Sequence, residues 1–233
     1  AKAHGPKEVS VMEHLLNRSA LLRQAMLSVV DHPLAQESPR LQASLDAALL
    51  SVEHGESLRV LMEVQLGPSA AAMLRCQFEA FVRAAWLLSR ASEDQVELLS
   101  SPPTAESREN AKLPTLSPML HALGEDPQLA NMVPHLLELK QYAWPALNSF
   151  IHAGVHALGR SREGFPLELA VNVVRCSNNL MMMAGQHMAL LSGQPGLQRQ
   201  VLNLNDSYTD CLLLDEDKRV AIEAVAGASA HAD

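Results

Sequence analysis

An all-α fold, a bundle of antiparallel helices in one domain over residues 1–233, is predicted by three observations. Apolar residues recur at helical spacing through several long stretches, and no stretch alternates apolar and polar residues as a half-buried strand does. Hydrophobic residues make up 48% of the chain but aromatic ones only 3%, so the core has to be built from Leu, Ala, Val and Met. These are largely good helix formers, and a chain of 233 residues is long enough to bury a substantial core of them.

The first helix is expected from Lys7 to Val30, where Val11, Leu15, Leu22, Met26 and Val29 keep the spacing until Asp31-His32-Pro33. Ser38 and Pro39 supply a cap and first turn for a second, carried by Leu41, Leu45, Ala48 and Val52 to a break near His54-Gly55. Residues 56–66 read as a third, shorter helix or as its continuation. Gly67-Pro68-Ser69 opens a helix to about Ala91 that is apolar on nearly every face and therefore central. Residues 93–99 add a turn or two, and residues 100–118, with Pro102, Pro103, Pro114 and Pro118, read as a Pro-rich loop.

Beyond the loop, residues 117–123 form a short helix, and residues 128–143 another that Pro134 bends or restarts. Pro145 is expected to begin a separate helix ending near Gly159, followed by a polar loop over residues 160–164. Pro166 starts a second long central helix that stops at Ser192-Gly193. Residues 197–214 hold a short helix or an extended arm, and residues 215–233, charged and then Ala-rich, read as a flexible tail.

A net charge of −8 excludes a protein that holds nucleic acid chiefly by a broad basic surface. Cys76, Cys176 and Cys211 are widely separated, with neither zinc-ligand spacing nor a disulfide framework, and read as reduced thiols. No run of apolar residues is long enough for a membrane span and no early segment has the form of a signal peptide, so a cytoplasmic location is expected. A Gly-rich phosphate loop, a dinucleotide fingerprint and a GxSxG elbow are all missing, which removes the enzymes that depend on them.

Three polar rows interrupt the apolar helices. Arg75, Glu79 and Arg83 are the only charged residues between Pro68 and Ser89, and their spacing of four puts them on one face. A carboxylate between two guanidiniums makes either an anion pocket or a salt-bridged solvent face. The second row, Asn148, His152 and His156 with Ser149 beside it, repeats every fourth residue of the helix expected from Pro145. Histidine can act as acid or base near neutral pH, and Asn148 can orient a hydroxyl or phosphate. His152 and His156 lack an HExxH or Glu-x-x-His companion, so neither metal nor cofactor is predicted. The third row runs through Glu168, Asn172, Arg175, Asn179 and Gln186, with Arg175 and Asn179 as ligand contacts if it faces the other two. Met181-Met182-Met183 with His187 and Met188 reads as gap-filling core rather than a copper site.

Residues 66–193 resemble the HEPN superfamily of helical proteins, often found near toxin-antitoxin or phage-defence functions. The resemblance rests on Met73-Leu74-Arg75-Cys76-Gln77-Phe78-Glu79-Ala80 and, much later, Asn148-Ser149-Phe150-Ile151-His152. Active members carry Arg, then a polar residue, then a few residues and His. Asn148 and His152 match the last two, whereas the place of the Arg is taken by Leu147. The resemblance implies a homodimer and, where the motif is active, metal-independent RNA cleavage. His152 would then be general acid or base, Asn148 would position the phosphate, and Arg75 or Arg83 would stabilise negative charge. The missing Arg and the acidic charge favour instead a non-catalytic module that binds a protein partner or a small anion, with Glu79, His156, Arg175 and Asn179 as further contacts.

Overall fold

Caps and prolines set most helix boundaries. The computed structural model describes residues 6–102 and 113–213, and every regular element among them is helical. Helix α1 spans Pro6–Val30 and α2 spans Pro39–Glu63, where the Ser38 hydroxyl accepts from Leu41 N and Pro39 occupies the first turn. Helix α3 spans Gly67–Ser89, and α4, Glu93–Ser100, begins with a capping box in which Ser92 and Gln95 satisfy each other's backbone N–H. Helix α5 spans Leu116–Gly124, and a 3-10 turn at Pro127–Leu129 leads to α6, Val133–Ile151. Then come α7, Val155–Glu163, α8, Leu167–Leu191, α9, Leu197–Ser207, and a 3-10 turn at Thr209–Cys211. The expected loop at 100–118 lies largely, and the expected tail at 215–233 wholly, outside the described residues.

The two helices expected to be central are central. Helix α8 packs on α1, α2, α3 and α9, and α3 packs on α2 along its length and on α5, α6 and α8. Ser44 donates to Ala84 O at 2.9 Å and Ser51 to Gln77 O at 2.9 Å, so position rises on α2 as it falls on α3 and the pair is antiparallel. No break occurs at His54-Gly55; α2 continues through it. A Cβ at Gly55 would meet Gln77 Nε2 at 2.8 Å, so this glycine lets α2 approach α3. Gln77 is wholly buried and fully engaged, donating to Ser177 O at 2.9 Å and accepting from the Ser177 hydroxyl at 2.6 Å.

The largest departure from the sequence expectation lies between residues 128 and 164. Pro145 does not start a helix; α6 runs through it to Ile151, and α7 extends through the segment expected as a loop. A proline inside a helix costs about 3 kcal/mol, chiefly through the lost hydrogen bond and the clash with the carbonyl four residues back. Here Pro145 and Gln141 both face solvent, where water can satisfy the freed carbonyl, while Ala146, Leu147 and Phe150 on the opposite face are buried. No helix among the described residues is long and apolar enough to cross a membrane.

Candidate functional site

The site forms where the end of α6 turns into α7 beside the first half of α3. His152 closes α6 as its C-cap, Ala153 takes a positive φ of 50°, and Gly154 precedes α7. The Ser149 hydroxyl reaches across this corner and accepts from His156 N at 2.9 Å, capping the new helix. A Cβ at Gly154 would stand 2.7 Å from that hydroxyl oxygen, so the close turn requires glycine. Asn148, His152 and His156 therefore do not form one helical stripe. The corner nevertheless gathers them: Pro145, Asn148, Ser149, His152, Gly154 and His156 line an open dish of about 400 Å³.

Beneath the corner, Ala71 of α3 packs with Ala146 and Phe150 of α6, and small side chains there let the two helices approach. That approach brings Arg75 to Asn148, where its Nη1 donates to the side-chain oxygen. Arg75 Nε donates to Glu79 at 2.9 Å, and the guanidinium lies 4.5 Å from the centre of the Trp144 ring. Glu79 thus pairs with Arg75 as the spacing predicts. Trp144 is the contributor that sequence reasoning missed; its place four residues before Asn148 was the available signal.

Leu147, where the HEPN pattern has its Arg, is 1% exposed and belongs to the main core. The guanidinium beside Asn148 comes from α3 instead. Arg83 does not join it. Its Nη2 reaches Pro114 O at 3.4 Å, and its buried Nη1 has no hydrogen-bond partner among the described residues. Burial lowers the Arg83 pKa and nearby Glu79 opposes that effect.

The third polar row faces elsewhere. Arg175 Nη2 donates to Asp210 O at 3.2 Å, and Asn179 brackets the backbone of Leu213, so both hold the end of the described chain. The thiols are poor nucleophiles: burial, aided by Glu79, raises the Cys76 pKa, and burial pushes Cys176 up to about 12. Among the described residues, no three of His, Cys, Asp and Glu stand together as metal ligands.

The fold and site define an all-α helical protein with a polar corner built from two helix ends and braced by an arginine from a third. The chain belongs to DUF6988, a family of unknown function, which matches residues 48–214 and so includes α3, α6, α7 and α8. No match to the chain is found among curated proteins or among solved structures.

Proposed function

We propose that this chain is a non-catalytic helical binding protein whose α6–α7 corner takes a small oxyanion of the phosphate class. The supporting observation is the bond from Arg75 to the Asn148 side-chain oxygen. With that oxygen engaged, the Asn148 amide keeps its N–H donors for the dish, which His152 and His156 also line. Among the described residues, Arg75 retains unused donors of its fork beside the Glu79 bond, and a cation held by a carboxylate and an aromatic face is already oriented for a ligand.

A second reading is HEPN-type RNA cleavage without a metal, with His152 as acid or base. It is favoured by Arg75 standing beside Asn148, a guanidinium in the neighbourhood where the motif itself has Leu147. This reading carries a homodimer with it, and Val155, 86% exposed, and Leu158, 60% exposed, offer apolar surface beside the dish for a second copy.

Titration with inorganic phosphate, followed by backbone amide NMR, tests the first reading, and incubation with RNA in chelator tests the second. Phosphate-dependent shifts at residues 148–156 that weaken about tenfold or more in Arg75→Met, the scale of one charge-assisted hydrogen bond, support an anion site. RNA cleavage by the wild type that is lost in His152→Ala replaces the first reading with the second. Neither binding nor cleavage removes both.

A further inference from the structure

Helix α7 adds no buried residue to the bundle. Ala157 packs on the small cluster of Ala71, Ala146 and Phe150, which leaves Val155, Leu158 and Arg162, at spacings of three and four, along another face. Val155 and Leu158 are the two most exposed large apolar side chains of the described residues, and Ile151, at the end of α6, is exposed as well. An apolar face that serves no core and borders a polar dish has the composition of an interaction surface.

Its charge sets it apart from the rest of the chain. Asp and Glu outnumber Lys and Arg by 26 to 18 overall, yet residues 139–162 hold Lys140, Arg160 and Arg162 and no carboxylate. Arg162 lies 3.6 Å from Glu163, an exposed pair that costs little to break, and Arg160 has no ion pair among the described residues. Together with Arg75 at the dish, these guanidiniums suit an acidic partner.

The dish is also larger than a bare ion needs. The five heavy atoms of phosphate, at roughly 30 Å³ each, fill less than half of its volume of about 400 Å³. The described segments end elsewhere in the fold. Pro114 is held at Arg83, about 12 Å along α3 from Arg75, and Leu213 at Asn179, about 18 Å along α8 from its start. Helix α1, with the remaining end, packs on α2, α8 and α9.

We propose that the oxyanion taken by the corner is carried by a partner protein, as a phosphorylated side chain whose apolar neighbours pack on Ile151, Val155 and Leu158. This rests on the corner being an oxyanion site. A phosphoryl group brings a charge of about −1.5 to −2 and three acceptor oxygens, which guanidinium forks match, and Arg160 and Arg162 extend that attraction along α7. A second copy pairing α7 with α7 would set these arginines against themselves. An anionic membrane calls for a cluster of about four to eight cations, more than α7 carries.

The full-length protein is titrated with inorganic phosphate, with free phosphoserine, and with an acetylated peptide that has one phosphoserine between two pairs of leucines. The peptide is expected to bind about tenfold or more tighter than phosphoserine. Leu158→Ser is expected to lose most of that advantage while binding inorganic phosphate as the wild type does. Phosphate binding with no advantage for the peptide overturns the proposal and leaves the oxyanion site standing, whereas no binding of any probe removes both. The proposal also fails if the unphosphorylated peptide binds equally well, or if vesicles of phosphatidylserine and phosphatidylcholine displace the peptide. It fails equally if Leu158→Ser lowers Tm by several degrees or converts a dimer to a monomer, because this chain or a second copy then covers the face.

Discussion

Arg75 on α3 and Asn148 on α6, 73 positions apart in the chain, are joined by a side-chain hydrogen bond that fixes which end of the Asn148 amide faces the dish. The guanidinium is held from two other directions, by Glu79 and by the Trp144 face. A lysine cannot reproduce a planar fork held on three sides. Arg75→Lys is therefore expected to lose the Asn148 bond and to weaken phosphate binding nearly as much as Arg75→Met, as measured by titration at fixed ionic strength.

Restoring the HEPN pattern at Leu147 is expected to harm the protein rather than activate it. Leu147 is buried in the main core, so Leu147→Arg forces a charge among apolar neighbours. A loss of about 3 kcal/mol or more is expected in urea unfolding, the scale of an unpaired buried charge. A variant as stable as the wild type would show that position 147 can turn outward.

The corner depends on one hydroxyl. Ser149→Ala removes the acceptor for His156 N and is expected to cost about 1 kcal/mol, a typical loss for a helix cap. Hydrogen exchange should quicken in residues 155–163 while the protected core of α3 is unchanged. Equal exchange in variant and wild type would remove the cap from this account.

Gly55→Ala tests the close approach of α2 and α3. The added methyl meets Gln77 Nε2 at 2.8 Å, within a buried network that includes Ser177. The cost should fall at about 1–3 kcal/mol, as for other overpacked cores. In a chain of this size that lowers Tm by about 2–4 °C per kcal/mol. An unchanged Tm would show that Gln77 moves aside freely.

His187 gives the fold a defined pH response. Ser44 spends its one proton on Ala84 O, so His187 Nε2 is the donor of the 2.7 Å bond between them. Burial lowers the His187 pKa from 6.5 to about 4. Between those values the unfolded chain binds a proton that the folded chain refuses, so stability falls as pH falls below about 6.5. His187→Gln keeps an N–H for Ser44 and should remove about 2 kcal/mol of the destabilisation between pH 7.5 and pH 5. If wild type and variant lose stability in parallel over that range, His187 is not the source.

Much of the fold is legible in the sequence because its signals are local. Ser38-Pro39 marks the start of α2 and Pro166 that of α8, and the apolar faces of α3 and α8 announce central helices. The corner is not legible in the sequence because Pro145 is a strong local stop whose cost is met from elsewhere: Ala146, Leu147 and Phe150 bury the inner face of α6 while Gln141 and Pro145 face solvent. Gly55 misled in the same way, since the approach of α3 favours the missing side chain inside a helix.

By itself the sequence determined that the chain is helical, which helices are central, and which polar residues stand out. Those properties follow from periodicity and caps, which act within a few residues. Only the tertiary structure decided that α6 ends at Ile151, that Arg75 rather than Arg83 meets Asn148, and that Arg175 and Asn179 hold the backbone of residues 210–213 instead of joining the corner. Those outcomes depend on how closely α3, α6 and α8 approach, which is set by packing between side chains far apart in the chain.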